Sequence, residues 1–213
     1  MDPVVIDNFI SKESCRRLTE FLDPMLKPSP RVGMRGALGY ETSAEASAVG
    51  DTVRAVKGYE GTPQEEIVFE LEGVYASVQR AMEQHFNIEM SLVNCSYQEL
   101  TEGGENPMHS DSTKLDGSPW RDDGIEEELE FSALVYFSDY GSDFAGGEIE
   151  FPLQNVTVYP KAGQLVFFRG DVEHIHEVKK VTGGVRKNLV FFLSRKGNVS
   201  SIKYFEDAPT GHQ

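Results

Sequence analysis

Histidines and carboxylates occur together at two places in the second half of the chain, at a spacing that suits a metal ion. His109 and Asp111 lie two residues apart, so an extended strand would point both side chains to the same face. His174 and His176 repeat this spacing further on. One of these two histidines would complete a set of two histidines and one carboxylate. Such a set leaves three coordination positions open, which suits the oxygen chemistry of Fe(II).

The residues around these two places form motifs in a fixed order between about Cys95 and Leu193. They are His109-Ser110-Asp111, Leu134 to Asp139, Phe144 to Pro152, Pro160 to Phe168, His176-Glu177-Val178 and Val181 to Arg186. In order and spacing, this half of the chain resembles the 2-oxoglutarate/Fe(II) dioxygenases of the prolyl and lysyl hydroxylase type, including the prolyl 3-hydroxylase-like branch. The resemblance implies hydroxylation of an unactivated C–H bond, with release of succinate and CO2.

The resemblance also assigns roles to individual residues. It implies that His109, Asp111 and His176 bind Fe(II), and that Arg186, ten residues after His176, pairs with the far carboxylate of 2-oxoglutarate. His174 lies twelve residues before Arg186 and is therefore interpreted as a neighbour of the ligands or a surface residue. Arginine suits the anchoring role because its planar guanidinium pairs with a carboxylate through two hydrogen bonds and stays charged.

Three further residues are candidates for contacts with 2-oxoglutarate. Tyr136 matches a tyrosine position of the family, Tyr97 lies on the strand that leads into the metal motif, and Asn188 follows Arg186 by two residues. Packing in the core is the alternative role for both tyrosines. The implied cofactors are Fe(II), 2-oxoglutarate and O2, with ascorbate as a further candidate. The carboxylate of Asp111 favours hydroxylation, because related halogenases carry a small residue there.

The pattern of apolar residues predicts helices first and strands afterwards. Val4 to Ile6 forms a short strand, Ser11 caps a helix that runs to about Leu22, and Thr62 begins a capping box and a helix of about 20 residues. From residue 88 onward, runs of β-forming residues alternate with turn signals such as Gly146-Gly147. The predicted strands are 89–100, 129–136, 147–151, 155–159, 164–168, 174–181 and 185–193.

This pattern predicts a mainly β fold, a double-stranded β-helix or jelly roll, with N-terminal helices packed on one sheet. We expect a single domain over residues 1–213, with helical support over about 1–87, a catalytic core over about 88–197 and a polar tail over 198–213. Residues 28–62 are interpreted as an irregular segment, and residues 112–128 as a loop that covers the substrate or is functionally idle.

Composition narrows the class of partner. The 20 basic and 35 acidic residues give a net charge of −15, which argues against nucleic acid and membrane surfaces as partners. No secretory signal or run of about 18 apolar residues is visible, so we expect a cytoplasmic protein. With two cysteines, a disulfide scaffold or a thiolate cluster is not expected. The sequence does not indicate an oligomeric state.

The substrate is expected to be a prolyl or other amino-acid side chain, free or in a peptide, and a biosynthetic small molecule is the main alternative. Three other functions are alternatives to the oxygenase. A demethylase of nucleic acid conflicts with the acidic chain, and a Zn(II) hydrolase leaves Arg186 without a role. A jelly-roll binding module without catalytic activity is the remaining alternative.

Overall fold

The main structural layer is a seven-stranded antiparallel sheet. Its strands come from both the N-terminal and the C-terminal parts of the described residues. A computed structural model describes residues 1–28, 34–37, 61–118 and 129–196. The strand order in this major sheet is β1-β10-β6-β13-β4-β3-β2. Its strands are β1 (Val4–Ile6), β2 (Lys27–Pro28), β3 (Met34–Ala37), β4 (Met90–Leu100), β6 (Phe131–Tyr136), β10 (Leu165–Arg169) and β13 (Arg186–Arg195). The long pair β4 and β13 forms the centre of the sheet.

A second, smaller sheet is formed from short strands between those of the major sheet. Its order is β5-β11-β8-β9, and β12 and β7 form a separate two-stranded pair. The bounds are β5 (Asn106–His109), β7 (Phe144–Gly146), β8 (Ile149–Phe151), β9 (Val156–Val158), β11 (His176–Val178) and β12 (Val181–Gly184). The chain passes repeatedly between the two antiparallel sheets, so strands near each other in sequence belong to different sheets. This arrangement confirms the predicted jelly roll.

Two helices cover the outer face of the major sheet. Helix α1 (Lys12–Leu22) begins as predicted, because the Ser11 side chain accepts a hydrogen bond from the Ser14 amide. Helix α2 (Glu65–Phe86) has Gln64 at its N-cap with no side-chain cap, so the predicted capping box at Thr62 is wrong. The buried stripe of α2, including Leu71, Val78 and Met82, nevertheless packs onto the sheet as expected from its helical spacing.

Alternation along the strands gives the major sheet two different faces. On its outer face, Tyr97, Val135, Leu189 and others pack with the helices in one apolar cluster. On its inner face, Leu134, Tyr136, Val166, Phe168 and Val190 pack with residues of the small sheet in a second cluster. The apolar residues of these two clusters therefore lie either in the helix-covered layer or in the space between the sheets.

Several predicted boundaries differ from the structure. Strand β1 pairs with β10, so the N-terminal region contributes to the major sheet as well as to its helical cover. Residues 34–37 form β3 beside β4, whereas residues 28–62 were predicted to be irregular. The predicted strand 174–181 is divided into a 3-10 turn (Val172–His174), β11 and β12. Residues 29–33 and 38–60 of the 28–62 segment, residues 119–128 of the 112–128 loop and the 198–213 tail lie outside the described residues, and the single-domain division stays a prediction.

Both cysteine thiols are expected to react slowly in the folded protein. Cys15 and Cys95 are buried and unpaired. Burial raises the pKa of Cys15 to about 11, so its thiolate fraction at pH 8 falls to about one in 1,000, and burial also raises the pKa of Cys95. We expect Ellman's reagent to detect almost no fast thiol in native protein and two thiols per chain in denaturant. A fast native thiol would contradict this packing.

Candidate metal and co-substrate site

His109 and His176 lie opposite each other on neighbouring strands of the small sheet. They are direct partners in the β5–β11 pairing, and their ring centroids are 4.3 Å apart. In each ring, Nδ1 faces a backbone carbonyl, at 2.7 Å for His109 to Pro107 and 3.0 Å for His176 to His174. These contacts assign the proton to Nδ1 and leave Nε2 with a lone pair, which is the atom needed to bind a metal ion.

Asp111 reaches the same place by a different route from the one predicted. Strand β5 ends at His109, so Asp111 lies beyond it and does not share a strand face with the histidine. Its backbone amide donates to the Gly170 carbonyl at 3.0 Å. Its carboxylate Oδ2 accepts a hydrogen bond from the Ser132 hydroxyl at 2.5 Å. The major sheet therefore holds the carboxylate, and the small sheet holds the two histidines.

The three side chains converge on one point between the sheets. One ligand atom from each of His109, Asp111 and His176 lies within 4.8 Å of the others. His109 Nε2 is 3.4 Å from Asp111 Oδ1, and His176 Nε2 is 3.8 Å from Asp111 Oδ2. This is the donor set of a facial two-histidine, one-carboxylate centre.

The electrostatics of the three groups also suit a metal cation. Burial alone would raise the pKa of Asp111, but His176, His109 and the Ser132 hydrogen bond outweigh it, so the pKa is lowered and the carboxylate stays charged. Burial lowers the pKa of His176, which favours the neutral ring. A charged carboxylate and a neutral imidazole are the forms that bind metal.

Two residues next to these ligands had no signal in the sequence. The Asn106 side-chain nitrogen lies 3.1 Å from His109 Nε2, so its amide donates to the lone pair that a metal ion would use. Ser132 contacts Asp111 from β6, 21 residues away in sequence. A single asparagine or serine at these spacings is common in any chain. Asn106 touches His109 within the same strand, and Ser132 meets Asp111 only through the tertiary fold.

Arg186 lies buried on the inner face of the major sheet. Its side chain is 1% exposed, and no acidic side chain of the described residues pairs with it. Its Nη1 donates to Asn188 Oδ1 at 2.6 Å, and its Nη2 donates to the Tyr136 hydroxyl at 3.3 Å. Burial lowers the pKa of Arg186, but an arginine keeps its charge. A buried guanidinium without an anion is costly, so an anionic ligand at this place would stabilise it.

The polar atoms around Arg186 fit a carboxylate. Arg186 Nε and Asn188 Nδ2 are buried and have no hydrogen-bond partner. Tyr136 Oη accepts from Arg186 and so has its own proton to donate. These three donors could serve the acceptor oxygens of one carboxylate. Gly147 leaves the room that Arg186 requires, because a Cβ there would lie 3.1 Å from Arg186 Cδ.

The inner apolar layer connects the two parts of the site. Phe168 and Phe151 flank the His176 ring, with centroids at 4.7 and 5.5 Å. Both phenylalanines belong to the same buried cluster as Tyr136, which contacts Arg186. The metal-binding set and the arginine site therefore share one layer between the two sheets. That arrangement suits a ligand that chelates a metal at one end and carries a carboxylate at the other.

The structure places two predicted residues elsewhere. Tyr97 lies on the outer face of the sheet, where its hydroxyl donates to Asp23 at 2.8 Å, so its prediction as a 2-oxoglutarate contact is wrong. His174 is buried with Asp171 at 2.8 Å from Nδ1 and the Met1 carbonyl at 2.9 Å from Nε2. Both His174 nitrogens are therefore engaged, and its own carbonyl orients His176.

The two tyrosines are expected to give opposite results when each hydroxyl is removed. Tyr97→Phe should lower the free energy of unfolding by about 1 kcal/mol, because the hydrogen bond to Asp23 is lost, and should leave 2-oxoglutarate binding unchanged. Tyr136→Phe should weaken 2-oxoglutarate binding by about 5- to 10-fold. Denaturant titration and calorimetry measure the two effects. Equal effects of both variants on binding would contradict this assignment of faces.

Comparisons with known proteins agree with this geometry. Residues 94–194 match the family model of the 2OG-Fe(II) oxygenase superfamily. Prolyl 3-hydroxylase 2 of Gallus gallus is 29% identical over 86% of this chain, which spans 28% of that relative.

Two solved structures share the fold at low identity. The viral collagen prolyl hydroxylase of Paramecium Bursaria Chlorella virus-1, in its 2OG complex, has a TM-score of 0.58 at 15% identity over 91% of this chain and 95% of that one. HygX from Streptomyces hygroscopicus, with nickel, 2-oxoglutarate and hygromycin B bound, has a TM-score of 0.58 at 13% identity over 92% of this chain and 83% of that one.

The matched segment and the shared fold point to one class of protein: residues 94–194 are similar to the 2OG-Fe(II) oxygenase superfamily, and the fold is similar to that of a solved prolyl hydroxylase. Within that class, its similarity to prolyl 3-hydroxylase 2 extends over most of its own length. The resemblance inferred from the sequence motifs is thus confirmed. Fe(II) is the metal of this class, with 2-oxoglutarate and O2 as co-substrates.

Proposed function

We propose that this chain is an Fe(II)- and 2-oxoglutarate-dependent hydroxylase of an unactivated C–H bond. The carrying observation is the buried Arg186, which has no acidic partner among the described residues and lies in the same layer as His109, Asp111 and His176. A metal site for hydrolysis would not need a buried cation of this kind. A binding module without activity would need neither the open metal set nor the arginine.

The residues divide the work of the proposed reaction. His109, Asp111 and His176 hold the iron and leave three coordination positions open. Arg186, Tyr136 and Asn188 bind the far carboxylate of 2-oxoglutarate and so fix its orientation. When bound, iron and 2-oxoglutarate supply the oxidation, in which O2 gives one oxygen atom to succinate and one to the substrate, with loss of CO2. Phe151 and Phe168 keep water from the layer around His176.

The proposed substrate is a prolyl or other amino-acid side chain, free or within a peptide. The similarity to prolyl 3-hydroxylase 2 over most of the chain supports this class of substrate. A small-molecule substrate is the second candidate, supported by HygX, which has the same fold and was solved with hygromycin B bound.

The net charge of −15 does not suit nucleic acid as a partner. A cytoplasmic location stays a prediction, and no helix of the described residues has the length and apolar character needed to cross a membrane.

The first test is a titration of metal-free protein without oxygen, first with Fe(II) and then with 2-oxoglutarate. Chelation of iron by 2-oxoglutarate is expected to give a weak visible charge-transfer band. An exposed-histidine variant, His85→Ala, should give the same band as the wild type. Bound iron without a band would overturn the co-substrate assignment and favour a hydrolase. Failure to bind iron would favour the binding module.

The second test concerns the substrate. Proline-containing peptides, matched peptides with alanine in place of proline, free proline and an aminoglycoside would each be incubated with enzyme, Fe(II) and 2-oxoglutarate. We expect succinate formation to rise with proline peptides, together with a mass gain of one oxygen atom on the peptide. Asp111→Ala serves as the inactive control. A response to the aminoglycoside alone would replace the peptide proposal with the small-molecule one.

A further inference from the structure

Ser132 is a buried serine whose hydroxyl points at a metal-ligand side chain. It lies on the inner face of β6, is 1% exposed, and donates to Asp111 Oδ2 at 2.5 Å. This is a short hydrogen bond to a charged acceptor, the stronger kind of hydrogen bond in proteins. The contact links the centre of the major sheet directly to the proposed metal set.

The backbone around Asp111 is held by the same sheet. The Gly170 carbonyl, directly after β10, accepts hydrogen bonds from the amides of Asp111 and Ser112 at 3.0 and 2.9 Å and from the Ser112 hydroxyl at 2.9 Å. The next backbone contact runs from the Gly170 amide to the Glu130 carbonyl, just before β6. Asp111 is therefore attached to the major sheet at its backbone by Gly170 and at its carboxylate by Ser132.

The two carboxylate oxygens of Asp111 have different surroundings. Oδ2 accepts the Ser132 hydrogen bond and lies 3.8 Å from His176 Nε2. Oδ1 lies 3.4 Å from His109 Nε2, the nitrogen whose lone pair faces the metal position. A carboxylate whose second oxygen is held by a hydroxyl is biased towards binding a metal through one oxygen. A carboxylate that can rotate is able to use both oxygens and fill a second coordination position.

We propose that Ser132 is a positioning residue that holds Asp111 as a one-oxygen ligand through Oδ1. This inference rests on the proposed metal site, and it goes further by assigning the geometry of that site to a residue that does not itself bind the metal. Its consequence is that two open positions stay available for 2-oxoglutarate and one for O2. Loss of an outer hydrogen bond of this kind typically weakens metal binding about 10- to 100-fold.

The chain offers a matched control in the same sheet. Ser194 on β13 is also fully buried, but its hydroxyl has no hydrogen-bond partner. Ser132→Ala and Ser194→Ala therefore remove the same atom from similarly buried positions. Only the first removes a contact with a metal ligand.

Co(II) binding to the full chain tests the proposal without relying on catalysis. Affinity is measured by competition with a chromophoric chelator, and the visible spectrum of bound Co(II) reports its coordination. We expect Ser132→Ala to weaken Co(II) binding about 10- to 100-fold and to change the spectrum, while Ser194→Ala matches the wild type. Ser132→Ala with wild-type affinity and spectrum would overturn the proposal.

A second pair of variants separates the hydroxyl from packing. Ser132→Thr and Ser132→Val have nearly the same shape, and both suit a strand, so a packing defect would affect them equally. We expect Thr to keep the wild-type Co(II) spectrum and Val to reproduce the altered one. Equal spectra for Thr and Val would overturn the proposal even if the alanine variant does not fold. A wild-type chain that binds no Co(II) would overturn the metal site itself.

Discussion

Arg186→Met is expected to abolish measurable 2-oxoglutarate binding while Fe(II) binding persists. Truncating one partner of a buried charged pair costs about 2–5 kcal/mol, which corresponds to about 30- to 4,000-fold in affinity. The upper part of this range is expected here, because Arg186 is 1% exposed and has no acidic partner among the described residues. Isothermal titration under anaerobic conditions, with Fe(II) present, measures the loss.

The same substitution separates a ligand-binding role from a structural one. A ligand that binds only the folded state raises its stability, so 2-oxoglutarate should raise the melting temperature of the wild type and not that of Arg186→Met. Arg186→Lys keeps the charge but loses the planar pair of donors, and it should bind with intermediate affinity. Arg195→Met is the matched control, since Arg195 lies on the same strand in an exposed pair with Glu130. Retained binding in Arg186→Met would contradict the assignment.

His176→Ala and Asp111→Ala are each expected to remove tight Fe(II) binding. Each substitution leaves two protein ligands in place of three, so affinity should fall by more than the 10- to 100-fold typical of a lost outer contact. Activity should fall below detection in both variants. Metal content after gel filtration and Co(II) competition measure the effect.

Two further substitutions act as controls for the ligand assignment. His85→Ala removes an exposed histidine that packs against Phe86 and Phe167 on the outer side of the sheet, and it should bind iron normally. His174→Gln removes a buried histidine that contacts Asp171 and Met1. This variant should have a lower free energy of unfolding than the wild type, and its affinity for iron should change less than that of His176→Ala. A larger loss of iron in His174→Gln than in His176→Ala would mean that the ligand is His174.

Local spacing predicted most of the secondary structure. Strands β6, β10 and β13 were visible as nearly continuous runs of apolar residues, because different layers bury both of their faces. The short strands β5, β7 and β12 were harder to predict, since they have three or four residues each and owe their strand form to their partners. The capping box at Thr62 failed for a related reason: its residues match the motif, but the helix starts at Glu65.

The residues of the site could be predicted from their order along the chain, but the geometry of the site could not. Residue type and spacing indicated His109, Asp111 and one of two histidines, and the family resemblance selected His176 and Arg186. The structure brings His109, Asp111 and His176 together. The expected geometry of the first pair was not right, because β5 ends at His109 and Asp111 is held by the major sheet. The face of Tyr97 was also mistaken. A tyrosine on a strand that is buried on both sides carries no signal that distinguishes the two faces.

The sequence by itself determined which side chains can bind a metal and an anion, because charge, donor type and local spacing are properties of the chain. The tertiary structure decided which atoms meet. It brought the Ser132 hydroxyl to the Asp111 carboxylate, 21 residues away in sequence. It also brought the Asn188 side chain to Arg186, where Asn188 Nδ2 and Arg186 Nε have no hydrogen-bond partner. It also engaged both nitrogens of His174 and left Nε2 of His176 facing the metal position. Contacts of this kind depend on the register between strands distant in sequence, and that register is fixed only when both sheets pack together.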